Sequence, residues 1–219
     1  MIITIDGPVG SGKSSVGKEI CKRLNIYYLN TGLLYRAVAY IFLNILGKKL
    51  SDVDKTILKD LKFIEKISYE YDGQASLIFF NGKNLTKNLY TMVLGQQASI
   101  MSAKKEVREG LIELQRSIAK KHDIVADGRD CGSVIFQNAD YKFFLTANLD
   151  IRAKRIFEDK KRVNLNLNLQ EVKIELEKRD KRDMERDVAP LIISKDSIII
   201  DNSNMTQKQT VDKFLSYIK

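Results

Sequence analysis

The sequence predicts an α/β fold, a three-layer arrangement with a parallel β-sheet between helices, and three observations carry that expectation. Short apolar runs recur with helical periodicity between them, the alternation that builds parallel sheets. The first of these runs leads through a glycine-rich turn directly into an amphipathic helix. Residues 50 to 90 change character and carry hairpin signals, which marks a small antiparallel insert.

Taken in order, "IITI" (2–5) is β-branched and apolar, as a buried strand requires, and the helix after the turn carries Val16, Ile20 and Leu24 on one face. Leu34, Val38, Ile41, Phe42 and Ile45 then repeat at helical spacing up to Gly47, a C-cap signal. In the insert, two strand-like runs are broken at Asp72-Gly73 and at Asn81-Gly82, the second a two-residue hairpin turn. One helical pattern, with Val107, Leu111, Leu114 and Ile118 in register, is expected over about 92 to 120. Three more strands follow, in "HDIVADGRD", "YKFFLTA" (141–147) and "SIIID" (197–201), and "VNLNLN" (163–168) reads as a mobile loop between charged helical segments. Thr206 and Gln209 fit a capping box ahead of a final helix whose apolar face is Val211, Phe214, Leu215 and Ile218.

With 219 residues the chain can bury one substantial core without a metal or disulfide. Two distant cysteines, Cys21 and Cys131, and a single histidine give neither a disulfide framework nor zinc-ligand spacing. The start "MIITI" shows no basic leader and no run approaches a membrane span, so a cytoplasmic location without membrane association is expected. The formal net charge of +9 admits two readings, arginines converging on phosphates or a basic face for nucleic acid. The clustering of arginine beside Asp and Gly, and the lack of aromatic RNA-binding motifs or a basic tail, favour the first, with no stable nucleic-acid partner.

The turn after the first strand, "DGPVGSGKSS", has the spacing of a phosphate-cradling loop. Gly7, Gly10, Ser11 and Gly12 suit a loop whose backbone N–H groups come close to phosphate oxygens, Pro8 and Val9 complete that ATP-side loop, and the helix beginning near Ser14 and Ser15 aims further amides at the same anion. Lys13 would reach the β- and γ-phosphates, and Ser14 would offer its hydroxyl to Mg2+ accompanying ATP. Asp127, at the end of a strand, is the natural second metal anchor, although it could instead cap the following turn. The remaining motifs, "YR" (35–36), "VREG" (107–110), "DGRDCG" (127–132) and "RDKRDMERDVAPL" (179–191), are dense in arginine, whose planar fork suits phosphate oxygens. Two anions brought together is the chemistry of phosphoryl transfer.

At these motifs the chain resembles the bacterial cytidylate kinases, nucleoside monophosphate kinases of the P-loop group, over nearly its whole length. The matching stretches are "TIDGPVGSGKSS", "YLNTGLLYRA" (28–37), "ADGRDCGSVIF" (126–136), "RAKR" (152–155) and "RDKRDMERDVAPL". The resemblance implies a core of about 1–49, 120–150 and 190–219, a monophosphate-binding region with the β-rich insert over about 50–119, and a helical lid over about 151–189. It implies that Arg36, Arg129 and Arg186 surround the acceptor phosphate, with Thr31 supplying a hydroxyl to the pocket. Ser99, Arg108 and Asp130 would face cytosine, Arg179 and Asp183 the sugar, and Arg152 and Arg155 would close over the transferring group. Cytosine suits that set, since its amine can donate to Asp130 and a serine oxygen while its ring nitrogen accepts from Arg108. For Arg152, Arg155 and Arg182 a solvated helix face is the alternative.

Two positions depart from the family pattern. Asn30 stands where Asp is more usual, and Gln137 where Pro is common. Cys131 reads as a packing residue, Cys21 as helix core and His122 as an exposed loop residue. The implied reaction is transfer of the γ-phosphoryl group from MgATP to CMP or dCMP by a monomer. The competing expectations are a kinase for UMP or dTMP, and a nucleotide-dependent switch or RNA-binding protein.

Overall fold

The computed structural model describes residues 1–53, 61–159 and 168–219. At its centre is β1 (Ile2–Asp6), paired in parallel with β6 (Ile124–Gly128) on one side and β7 (Tyr141–Thr146) on the other. Adding β2 (Tyr27–Asn30) and β8 (Ile198–Asp201) gives one parallel sheet in the order β2-β6-β1-β7-β8. Its register aligns Asp6 with Gly128, and Asn30 with Asp127, at the carboxyl ends. Strand ends of this kind, where neighbouring connections diverge, are where open α/β sheets place their ligands.

Strand alternation sends side chains to both faces, and each face has its own core. Ile3, Ile5, Tyr28, Val125, Phe143 and Leu145 pack with α1 (Lys13–Leu24) and with Val211 and Phe214 of α7 (Gln207–Leu215). Leu29, Ile124 and Ala126 face the other way, onto α2 (Thr31–Tyr40), α3 (Met92–Met101) and α4 (Lys105–Ala119). These are the three layers that the alternation of runs predicts. The final helix begins with the expected box, Thr206 and Gln209 capping each other reciprocally.

The insert is a separate antiparallel sheet of β3 (Ile67–Tyr71), β4 (Ser76–Phe80) and β5 (Lys83–Asn84). Its second turn is Asn81-Gly82, with φ of 50° and 76° between the paired Phe80 and Lys83, the left-handed pair that matches strand twist. Tyr69 fastens the insert to the edge of the main sheet: its hydroxyl accepts from Asn30 N at 2.9 Å and lies 2.8 Å from the Tyr28 carbonyl oxygen.

Three features differ from the sequence expectations. The helical pattern over 92 to 120 is two helices, because the chain turns at Ser102–Lys104 and Ser102 Oγ donates to the Ser99 carbonyl. The helix after Thr31 widens at Ile41–Ile45, where Leu46 N reaches back to Ile41 O, before Gly47 ends it at φ 64°. β2 escapes a periodicity reading, since four residues, three of them with polar tips, hold too little pattern and only pairing with β6 makes them a strand. The loop expected at 163–168 lies outside the described residues for 163–167, and Asn168 caps α6 (Leu169–Glu185).

Candidate functional site

The glycine-rich turn occupies residues 7 to 12 between β1 and α1, at the carboxyl edge of the sheet. Gly7 has φ 146°, and a Cβ there would run into the Leu145 carbonyl oxygen, so no side chain fits. Gly12 caps α1 at φ 92°. Lys13 folds back over the loop, its Nζ donating to the Pro8 carbonyl at 2.7 Å, and burial followed by Arg129 lowers its pKa well below the usual lysine range. Ser14 Oγ donates to Asp127 Oδ2 at 2.7 Å. Burial raises the Asp127 pKa, while Ser14 and Lys13 oppose that shift, and its second oxygen is buried with no hydrogen-bond partner.

A cavity of about 380 Å³ opens over this loop, lined by Val9, Gly10, Gly12, Lys13, Ser14 and Ser15 on one side. Asp127, Arg36, Arg129, Arg155, Arg179 and Asn202 are among the residues that line the rest. A smaller cavity of about 70 Å³ adjoins it, lined by Thr31, Tyr35, Ser99, Arg108, Asp130, Asp183 and Arg186. Arg36, Arg129 and Arg179 border both spaces. Two compartments meeting at three arginines is a geometry for holding two anions end to end.

In the small cavity the polar groups hold one another. Arg108 pairs with Asp130 Oδ2, donates to the Ser102 carbonyl at 2.9 Å and stacks on Tyr35 at 5.0 Å. Arg186 lies 3.7 Å from the other Asp130 oxygen and donates to Ala189 O at 2.8 Å. Asp183 accepts from Arg129 Nε at 2.8 Å and Ser99 Oγ at 3.0 Å. Burial pushes the Asp183 pKa up, but Arg129 and Arg179 outweigh it, so the carboxyl lies below its ordinary value. Arg179 Nε is buried without a hydrogen-bond partner, 4.0 Å from Asp183 Oδ2, and burial together with Arg129 lowers its pKa to about 9. Arg36 donates to the carbonyls of Leu89 and Thr91 at 2.7 and 2.8 Å. Gly95 makes room for it, since a Cβ there would lie 2.5 Å from the Arg36 terminal nitrogen.

Two residues read from the sequence stand differently. Arg152 borders neither cavity: it lies buried behind the loop, donating to Ala147 O, Val9 O and Asp180 Oδ2 at 2.9, 3.0 and 2.5 Å. Thr31 does border the small cavity, but its hydroxyl donates to the Asp127 carbonyl at 2.8 Å and so braces the strand end. Asn30 caps α2, its Oδ1 accepting from Leu33 N, and Gln137 donates to Ser133 O on the surface. Arg182, half-buried, reaches Ser99 Oγ at 3.2 Å. Cys21 and Cys131 are both buried and free, with thiol pKa values raised by burial, as packing residues would be. His122 is exposed, its ring stacked 4.4 Å from that of Tyr27.

Sequence reasoning missed Asn202 and Asp6. Asn202 donates to Ser11 O at 3.0 Å and accepts from Arg155 at 3.0 Å, tying that arginine to the phosphate loop. Its signal was available, since it directly follows the strand "SIIID" at the ligand-bearing edge. Asp6 accepts from the backbone amides of Cys131 and Gly132.

Asp127 and Ser14 together offer hard oxygens, one of them an orphaned buried carboxylate atom, and that set fits Mg2+. No cluster of three or more His, Cys, Asp or Glu side chains suited to a metal occurs among the described residues. A site of few protein oxygens suits an ion that arrives with a phosphate ligand. Among the described residues no helix is long and apolar enough to cross a membrane.

A family model described as cytidylate kinase matches residues 3–219. A cytidylate kinase of Clostridium botulinum is 41% identical over 217 residues, covering 99% of this chain and 97% of that one. One from Fervidobacterium nodosum is 40% identical, covering 99% and 95%. A crystal structure of shikimate kinase from Bacteroides thetaiotaomicron overlays with a TM-score of 0.51 at 10% identity, covering 100% of this chain and 98% of that one, a likeness of fold alone.

Proposed function

The chain belongs to the cytidylate kinase family, and on that premise we propose that it transfers the γ-phosphoryl group of MgATP to CMP and dCMP, giving ADP with CDP or dCDP. The observation that carries this reading is the pair of adjoining cavities, one over the phosphate loop and one around Asp130, sharing Arg36, Arg129 and Arg179. The triphosphate would lie along residues 7 to 15, with the loop amides and Lys13 on its phosphates. The monophosphate would extend into the small cavity, its phosphate on Arg36 and Arg129 and its base toward Ser99, Arg108 and Asp130. Arg179, Asp183 and Arg186 complete that side.

The acceptor phosphate brings its own nucleophilic oxygen, largely ionised near neutral pH, so no side chain has to remove a proton. Catalysis then consists of positioning and of offsetting charge along the line of transfer. Lys13 and the shared arginines do this from fixed positions, and Arg155, held by Asn202, adds a cation at the wall of the large cavity. Ser14 and Asp127 would hold Mg2+, directly or through water, and the ion would supply positive charge to offset that of the phosphates. Arg152 acts from behind the loop, as a brace between α5 (Leu149–Glu158), the Val9 carbonyl and Asp180. The lid expected over 151–189, of which 160–167 lie outside the described residues, would keep water from the reacting phosphate. A cytoplasmic, monomeric enzyme without a nucleic-acid partner belongs to the same proposal.

Base choice follows from the pairing pattern. Uracil would set a carbonyl against the Asp130 carboxylate and leave buried groups unpaired, at a penalty of about 1–3 kcal/mol. The test is coupled ADP release with MgATP and, separately, CMP, dCMP, UMP, dTMP and AMP, with Arg129→Ala as control. Turnover on CMP and dCMP well above the rest, lost in the control, is expected. Equal turnover on all five, or ATP hydrolysis indifferent to acceptor, would overturn the proposal.

A further inference from the structure

Asp6 is the last residue of β1, immediately before the first glycine of the phosphate loop, and the transfer described above makes no use of its side chain. It is 6% exposed and borders neither cavity. Its two carboxylate oxygens are committed one to each of two backbone amides, Cys131 N at 2.8 Å and Gly132 N at 2.7 Å. Those amides follow directly on Arg129 and Asp130. The turn sits tightly on the carboxylate: a Cβ on Gly132 would lie 2.9 Å from Thr4 Oγ1 and 3.4 Å from Asp6 Oδ2.

Each amide has its own carboxylate oxygen; Asn would keep one oxygen but turn an NH2 donor toward the second amide, and Ser or Thr would offer a single oxygen to share. Burying that carboxylate is unfavourable, and burial pushes its pKa to about 6 against the pull of the amides. The side chains of Arg129 and Asp130 are held by Asp183, Arg108 and Arg186, which themselves border the acceptor cavity. Those partners can exchange when an acceptor enters. The grip of Asp6 on the backbone lies outside the cavity and does not have to change.

We propose that Asp6 is a positioning residue for acceptor recognition: by holding both amides that follow Asp130, its carboxylate fixes Arg129 and Asp130 at the acceptor cavity, in register with the phosphate loop. This inference rests on the acceptor reading proposed above.

The test compares wild type, Asp6→Asn and Asp6→Ala by KM for CMP, UMP and MgATP, with kcat and a thermal melt for each. Loss of a charge-assisted hydrogen bond of this kind should raise the CMP KM of Asp6→Asn about tenfold or more and shrink its preference for CMP over UMP, with the MgATP KM within about threefold. Asp6→Ala should be worse, and if it does not fold, Asp6→Asn, which is isosteric, decides alone. An unchanged CMP KM and base preference, or a loss shared equally by CMP and MgATP, would overturn the inference. Hydrogen exchange on wild type gives a check without substitution, with slow exchange at Cys131 and Gly132 expected and fast exchange there contradicting it. A wild type with no preference for CMP would instead refute the acceptor reading before any variant is compared.

Discussion

Replacing Asp6 by Asn should change stability in a pH-dependent way with a defined sign. In the folded protein burial raises the Asp6 carboxyl from 3.8 to about 6, with Asp130 adding to the shift and the amides of Gly132 and Cys131 and the charge on Lys13 opposing it. In the unfolded chain the group returns to its ordinary value. Between about pH 4 and 6 the folded state therefore holds a proton that the unfolded state has released, and stability falls as pH rises through that window. A shift of this size corresponds to about 3 kcal/mol, present in full below the unfolded pKa and lost once pH exceeds the folded one. Asn cannot titrate, so this contribution disappears. Urea unfolding of both proteins from pH 3 to 8 measures it. The stability of Asp6→Asn relative to wild type should climb by about 3 kcal/mol over that range, on top of a constant loss of about 1–3 kcal/mol for the missing acceptor. Near neutral pH the variant should match or exceed wild type in stability while being the poorer enzyme. Asp127, also raised by burial, titrates in both proteins and drops out of the difference to first order. A difference that stays flat within about 0.5 kcal/mol would refute the reasoning, since it would mean that the carboxylate is not held against its desolvation.

Other substitutions separate the parts of the site. Ser14→Ala removes the 2.7 Å bond to Asp127 and one of the two side chains proposed to hold Mg2+, and should lower kcat/KM by roughly a hundredfold or more while weakening Mn2+ binding followed by electron paramagnetic resonance. Asn202→Ala frees Arg155 and the Ser11 carbonyl together; the MgATP KM should rise about tenfold with the CMP KM nearly unchanged, as steady-state kinetics would show. Gly7→Ala drives a methyl group into the Leu145 carbonyl at a backbone angle that L-residues avoid; loss of several kcal/mol or failure to fold is expected in a denaturant melt.

Much of the site was legible because phosphate chemistry constrains sequence locally. A loop that presents amides to an anion needs small residues at fixed spacing, and residues 7 to 15 declare themselves on that ground alone. Asn81-Gly82 is equally local, since a two-residue turn with both φ positive selects its residues directly. Arg152 shows where such reasoning stops. Its motif identified an arginine of the right region, but whether its fork faces the cavity or the back of the loop depends on Asp180, 28 positions away on another helix. The break at Ser102–Lys104 was hidden for a related reason: both helices keep their apolar periodicity, and the turn between them is held by bonds from Ser102 and to it from Arg108.

By itself the sequence determined the parallel sheet with its antiparallel insert and the glycine-rich loop, because periodicity and turn chemistry act over a few neighbouring residues, whereas the roles expected of the single arginines came from the family resemblance. The tertiary structure alone decided that β2 is a strand, that Asn202 joins Arg155 to the loop and that Asp6 holds the turn after Asp130. Each of those depends on a partner far along the chain: Asp6 finds its amides 125 and 126 positions away, and only the pairing of β1 with β6 brings them within a hydrogen bond.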